Sequence, residues 1–176
     1  MRVIGLAGWK GAGKTTLLRR LLPLLTSRGL RVSTLKHAHH SFDVDQPGKD
    51  SWEHRQSGAT EVLVTSSARW ALMHELRGDE EPSLSVLLLH MSPVDLVLVE
   101  GFKREAHPKI EVHRVANGKP LLHPDDRSIV AIASDAPLHD LAIPHHHLDD
   151  IVAIADEVQA SAVATDAVDW SGWRTS

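Results

Sequence analysis

The stretch that most constrains this chain is "GWKGAGKT", Gly8 to Thr15, set between the apolar run "RVIGLA" and a leucine-rich segment. Its spacing, G-x-x-x-x-G-K-[ST], is met at Gly8, Gly13, Lys14 and Thr15. Glycines let consecutive backbone N–H groups turn toward phosphate oxygens. The helix that follows offers its unpaired N–H groups and positive dipole end to the same anion. Lys14 is expected to reach the β- and γ-phosphates of a nucleotide, and the Thr15 hydroxyl to bind Mg²⁺. Gly11, Ala12 and Thr16 complete the cofactor-binding stretch. The bland alternative is a glycine-rich turn that only joins a strand to a helix, and the flanking elements favour the phosphate loop.

The rest of the chain alternates strands with helices, the pattern of an α/β sheet. Residues 15–27 carry Leu17, Leu18, Leu21, Leu22 and Leu25 at helical spacing, with Pro23 expected to kink the helix or tighten its second half. "LRVSTLKH" reads as a second strand and closes a βαβ-like opening. "AHHSFDVDQPGKDS" is a long polar loop, which at this length is functional or disordered. A short helix is expected from Asp50 or Ser51 to Ser57. "TEVLVTS" and "RWALMHEL" read as two strands with "SA" as a tight turn between them. A short helix over "PSLSVLLLHM" precedes "DLVLVEG", apolar on both faces and so central in a parallel sheet. "KIEVHRV" and "SIVAIASD" add strands, and "DDIVAIADEVQASAVA" a last helix. The expected architecture is a P-loop NTPase-like α/β fold: a mostly parallel central sheet flanked by helices, with additional antiparallel strands. Residues 1–165 read as one domain and 166–176 as a poorly ordered tail.

A phosphate loop alone does not say which reaction it serves, so the acids matter. In P-loop proteins an acid follows an apolar strand beside the first and helps hold the metal or its water. Glu100, at the carboxyl end of "DLVLVEG", takes that place, with a buried structural carboxylate as its alternative. Lys14 and Glu100 are therefore the catalytic candidates. Asp43 and Asp45 supply further Mg²⁺ or water contacts, or simply belong to a solvated loop. The guanine-reading N-K-x-D segment is absent. Asp135, just beyond "SIVAIAS", is placed to accept from guanine N1–H and N2–H and so to favour GTP over ATP, or is a turn residue before Pro137.

Composition narrows the partners. The chain has 176 residues, 19 basic against 23 acidic, and no cysteine. No basic field points to nucleic acid or a membrane surface. The cysteine count excludes disulfides and thiolate chemistry and fits a reducing cytosol. No run reaches transmembrane length, and the N-terminus does not read as a signal peptide. The expectation is a cytoplasmic protein.

Three segments together resemble one family, the molybdopterin-guanine dinucleotide biosynthesis adaptor protein B (MobB) family. They are "GWKGAGKTTL", "LKHAHHSFDVDQPGKDSWEHRQSGA" and "DLVLVEGFKREAHPKIEVHR", spanning most of residues 3–114. The first is generic to NTPases; the second is specific. The resemblance implies a GTP-binding, weakly hydrolysing homodimer. It would assist a partner nucleotidyltransferase in attaching GMP to molybdopterin and would contact the molybdenum-inserting enzyme. Carried onto this chain, the second motif falls on Lys36, His37, His39, His40, Asp43, Asp45, Pro47, Gly48, Lys49, Asp50 and Ser51. The third falls on Glu100, Gly101, Lys103, Lys109 and Glu111. Lys36, His37, Asp43 and Lys49 are the added nucleotide-contact candidates, and the same loop also suits a second anion, such as a pterin phosphate. Trp9 stands where related P-loop dimers carry a crossing lysine, so Lys10 is given no such role and Trp9 is expected to face a partner.

Thirteen histidines are the compositional oddity. His37, His39 and His40 form one cluster, and His145, His146 and His147 another, the latter in a run that reads as exposed loop before a helix cap. Metal binding through these clusters would make the chain a nickel metallochaperone-type GTPase. That class carries N-K-x-D and cysteine metal motifs, both missing here. A small-molecule kinase or ligase is a further alternative without a recognisable acceptor site.

Overall fold

A computed structural model describes residues 1–38 and 42–172 of the chain. The stretch 1–165, read above as one domain, falls into two compact units: one formed by Met1–His37 and the chain from Leu84 onward, the other by Ala38–Ser83. The elements run β1 (Arg2–Ala7), α1 (Lys14–Ser27), β2 (Val32–Lys36), α2 (Asp50–Gln56), β3 (Glu61–Thr65), β4 (Trp70–His74), α3 (Leu84–Leu89), β5 (Leu96–Glu100), β6 (Lys109–His113), β7 (Ile129–Ser134), β8 (His145–His147), α4 (Ile151–Ser161) and β9 (Val163–Ala164). No helix among the described residues is long and apolar enough to cross a membrane.

The first unit is a sheet in the order β2-β5-β1-β6-β7-β8, all parallel, with β9 antiparallel to the start of β1. Strand alternation sorts its core. Ile4, Leu6, Leu96, Leu98, Ile110 and Val112 face α1 and α4, where Leu17, Leu21, Leu25, Ile154 and Val158 are buried against them. Each such leucine contributes roughly 1.5–3 kcal/mol by leaving water. The opposite face carries Val3, Val97 and Val99 under Leu84 and Leu88 of α3. α1 runs on through Pro23 to Ser27. Phe102 and Trp170 close the α3 side, and 3₁₀ turns at Thr165–Ala167 and Trp170–Gly172 order a stretch that has no sequence periodicity.

β6 departs from this pattern. Its inward row on the α3 side is Lys109, Glu111 and His113, at 0%, 0% and 9% exposure. Polar groups survive burial only when partnered. Lys109 Nζ donates to the Glu105 carbonyl and the Ser128 hydroxyl and lies 3.4 Å from Asp126 Oδ2. The Glu111 carboxylate accepts from Leu122 N at 2.7 Å and His123 N at 2.9 Å. The segment between β6 and β7 is thus tied over the strand it follows.

The histidine run 145–147 is not a loop: it is β8, an edge strand parallel to β7 with Ile132↔His145, Ala133↔His146 and Ser134↔His147 in register. Backbone bonds from Ile132 N to Pro144 O (2.9 Å) and from Leu148 N to Ser134 O (2.8 Å) bracket it. An edge strand needs one bonded side only, so side chains of low strand propensity suffice.

The second unit holds α2 and the antiparallel hairpin β3–β4, with Leu63↔Leu72 and Thr65↔Trp70 opposite one another. Ser66 N donates to Arg69 O at 2.8 Å, which makes Ser67-Ala68 the tip of the turn.

Candidate functional site

β1 delivers the chain at its carboxyl end into Gly8, and α1 starts at Lys14. Between them Gly8, Gly11 and Gly13 have φ of 140°, 85° and 97°. Gly8 admits no side chain, since a Cβ there would fall 2.4 Å from the Val112 carbonyl. Gly13 is the N-cap of α1 and adopts the left-handed conformation, and α1 has no acidic residue in its first turn. Ala12, 1% exposed, anchors the loop in the core, and its N–H bonds to Trp9 O at 3.1 Å. The result is a turn of backbone amides at the positive end of a helix, a geometry suited to phosphate oxygens.

Lys14 curls back over this loop, donating to Gly8 O at 2.9 Å and Trp9 O at 3.2 Å. Burial holds its pKa below the usual lysine value. Glu100 opposes that shift, and the charges of Lys103 and Lys36 add to it. Thr15 Oγ1 donates to Glu100 Oε1 at 2.9 Å and reaches Oε2 at 3.2 Å. Lys36 Nζ stands 3.7 Å from the same carboxylate, whose side chain is 12% exposed. A hydroxyl and a carboxylate side by side are a hard-oxygen pair suited to Mg²⁺. Lys14, Thr15, Glu100 and Lys36, predicted from separate segments, meet at the carboxyl ends of β1, β5 and β2. Thr16 is exposed one position along.

His37 continues β2. Its N–H bonds to Glu100 O at 2.8 Å and its ring lies 5.0 Å from that of Phe102. Gly101 is glycine for that reason: at φ 102° a Cβ would meet His37 Cβ at 2.6 Å. His39 and His40 lie outside the described residues. Among the described residues no group of three or more His, Asp and Glu side chains could hold a metal ion.

Asp43, Asp45 and Lys49 belong to the second unit. Arg55 bonds Asp43 at 2.9 Å to both carboxylate oxygens, Asp45 Oδ2 at 3.3 Å and Glu75 Oε1 at 2.7 Å. Asp45 Oδ1 also accepts from Ser51 at 2.8 Å. The Asp45 N–H and the Arg55 guanidinium hold the Asp43 carboxyl below its usual pKa. Lys49 is the exposed N-cap of α2.

On the other side of the phosphate loop stand Asp135 and Trp9, both named from the sequence, together with Arg114 and Asn117, which the sequence did not single out. Asp135 follows β7 and accepts from Val115 N at 3.0 Å, with Arg114 Nη1 3.5 Å from its second oxygen. A Cβ on Gly13 would come within 3.1 Å of Arg114 Nε, and one on Gly11 within 3.5 Å of Asn117 Oδ1. Trp9 Nε1 donates to Pro120 O at 2.8 Å, and the ammonium groups of Lys103 and Lys119 lie 5.3 and 5.8 Å from the Trp9 ring centroid. Trp9, expected to face a partner, thus has partners within its own chain. The available signal for Arg114 was its place directly after a strand, where ligands of α/β sheets collect.

The family described as "MobB: Molybdopterin guanine dinucleotide synthesis protein B" matches residues 3–135. The chain is 45% identical over 159 residues to a molybdopterin-guanine dinucleotide biosynthesis adapter protein of Escherichia coli (strain K12), covering 89% of this chain and 90% of that one. A second adapter protein of that name, from Haemophilus influenzae, is 42% identical over 136 residues, 77% of this chain and 76% of its own. A crystal structure of a molybdopterin-guanine biosynthesis protein B superposes with a TM-score of 0.71 at 27% identity, over 90% of this chain and 98% of that one.

Proposed function

Since the chain belongs to the MobB family of molybdopterin guanine dinucleotide synthesis proteins, we propose that it is a Mg·GTP-binding adapter in the making of the guanine-dinucleotide form of the molybdenum cofactor. The observation that carries this reading is the phosphate loop, with Lys14 over it and Thr15 against Glu100 at 2.9 Å. Backbone amides from Gly8 to Thr16 bind the β-phosphate region, and Lys14 leaves the Gly8 and Trp9 carbonyls for phosphate oxygens. Thr15 and Glu100 would hold Mg²⁺, which neutralises phosphate charge when bound. Lys36, exposed beside Glu100, answers the γ-phosphate.

Asp135 is the guanine reader in this proposal. Its topological position supports it: β7 is the second strand from β1, and the carboxylate stands at the carboxyl end, with β6 between. Hydrolysis is slow in this reading, because the sequence offers no clear residue to position an attacking water and no obvious arginine finger in cis. The adapter serves a nucleotidyltransferase that attaches GMP to molybdopterin and an enzyme that inserts molybdenum. It works in the cytoplasm as a homodimer.

Competition titration of GTP against ATP, with and without Mg²⁺, tests the nucleotide. GTP is expected to win, and equal affinities would remove guanine recognition from the proposal. Asp135→Asn sharpens the test: an amide donates where guanine has an amino group and xanthine a carbonyl, so preference should move toward xanthosine triphosphate. A turnover of about 1–100 s⁻¹, the range of ordinary kinases, would overturn the adapter reading in favour of an enzyme.

A further inference from the structure

The turn that follows β6 lies along the whole phosphate loop. Arg114 is at Gly13, Asn117 at Gly11 and Pro120 at Trp9. Its far end is pinned by the buried Glu111 carboxylate to Leu122 N and His123 N. The position of Arg114 is electrostatically odd. A guanidinium at the amino end of a helix faces the positive end of the dipole, and no acid in the first turn of α1 offsets it. Its carboxylate neighbour, Asp135, is 3.5 Å away, beyond good hydrogen-bond range, with the two side chains 40% and 30% exposed. An anion resting on the α1 amides would meet both the helix end and the guanidinium.

Sheet order says which part of a nucleotide that anion is. β5 and β6 flank β1 on opposite sides. Glu100, Thr15 and Lys36 define the β5 side, where a metal and a γ-phosphate belong. Arg114 and Asp135 follow β6 and β7, on the side where a ribose and base belong.

Resting on the proposal that the phosphate loop binds a nucleotide, we propose that Arg114 is a nucleotide ligand that exchanges Asp135 for the α-phosphate. Asp135 keeps the Val115 N–H on one oxygen and turns the other to the base. Charge-assisted pairing of guanidinium with phosphate drives the exchange. Asn117, beside Gly11, closes the same wall.

The test is calorimetric titration of GTP and GDP into the wild-type protein, Arg114→Gln, Arg114→Lys and Lys36→Gln, with circular dichroism melts as the folding control. An α-phosphate ligand predicts that Arg114→Gln weakens GTP and GDP by the same factor, about 10- to 50-fold, with Arg114→Lys between it and wild type. Lys36→Gln, on the β5 side, should weaken GTP more than GDP. Equal affinities of wild type and Arg114→Gln would overturn the inference, as would a loss confined to GTP, which would put Arg114 at the γ-phosphate. A melting midpoint lowered in Arg114→Gln but not in Arg114→Lys, with the Lys variant binding as wild type, would make Arg114 a support for the turn and overturn it too. If wild type binds neither nucleotide, it is the underlying reading that has failed.

Discussion

The phosphate-loop corner of the first unit and the Arg55 cluster of the second hold similar residues to opposite effect. Around Arg55 one guanidinium meets Asp43, Asp45 and Glu75, and every bond closes inside the unit. Around the phosphate loop Lys14 feels the charges of Lys36 and Lys103 against that of Glu100, and across the loop Arg114 stands 3.5 Å from Asp135, so cations outnumber carboxylates. Charge matched within the chain makes structure, as it does for Lys109 of β6 beside Asp126. Charge left in excess waits for a ligand of opposite sign. On this comparison, and under the proposed function, the carboxylates of the 43–45 loop are stays for α2 and the hairpin, and the glycine loop is where an anion would bind.

The largest effect should come from the unmatched side. Lys14→Met is expected to cost several hundredfold or more in nucleotide affinity, because a cation facing desolvated phosphates is worth about 2–5 kcal/mol. Since burial already holds the Lys14 pKa down, the variant should melt at or above the wild-type temperature. Titration and melting of one preparation check both. Lost binding together with a large loss of stability would make Lys14 a structural group and erase the contrast.

Next in size is His107, an unmatched group inside the core. It is fully buried, neither ring nitrogen has a hydrogen-bond partner among the described residues, and its ring stacks toward Trp170 with centroids 6.4 Å apart. Burial first, and then the charge of Lys109, push its pKa down to about 3, with Asp126 opposing weakly. Between the unfolded value near 6.5 and that folded value the unfolded chain binds the extra proton. Stability contributed by neutral His107 is therefore whole above pH 6.5 and is lost as pH falls toward 3. Unfolding free energies from urea titrations at pH 6.5 and 4 should differ by about 3 kcal/mol more in wild type than in His107→Leu, from ~1.4 kcal/mol per pH unit. Equal pH slopes would show the imidazole reaching solvent.

The matched cluster should respond locally. Arg55→Met leaves three carboxylates facing one another, and amide exchange across 42–79 should quicken by roughly tenfold. Asp43→Asn or Asp45→Asn, if these carboxylates are only stays, should leave Mg²⁺ dependence of GTP binding unchanged. A lost Mg²⁺ dependence would return them to the metal site.

How much of this was legible in sequence follows the range of the interactions. Strand, glycine loop and helix from Arg2 to Ser27 are local patterns, and each is where periodicity put it. The place of Glu100 at the end of β5, beside Thr15, was legible because a central strand announces itself by unbroken apolar residues. β8 was missed because "HHH" carries no strand signal: its place is set by the backbone edge of β7. "KIEVH" reads as a strand, but nothing local says that its polar residues are buried; the segment that follows covers them. Arg114, Asn117 and Pro120 escaped for the same reason. Their meaning lies in where that segment returns, and Glu111 fixes the return through two backbone amides that no side-chain pattern encodes.

Trp9 gives the smallest and most discriminating test of that wall. Its indole N–H holds the Pro120 carbonyl, and Lys103 and Lys119 flank its ring. Trp9→Phe keeps an aromatic face for the two cations and removes the donor, a loss of about 1 kcal/mol. If the 114–120 turn contributes Arg114 to the nucleotide site, loosening its far end should weaken GTP and GDP alike, by roughly threefold, and double substitution with Arg114→Gln should cost less than the sum of the two. Full additivity would mean that Trp9 and Arg114 act independently. A loss as large as that of Lys14→Met would mean that the indole itself touches the nucleotide, and the turn would then be a neighbour of the site rather than one of its walls.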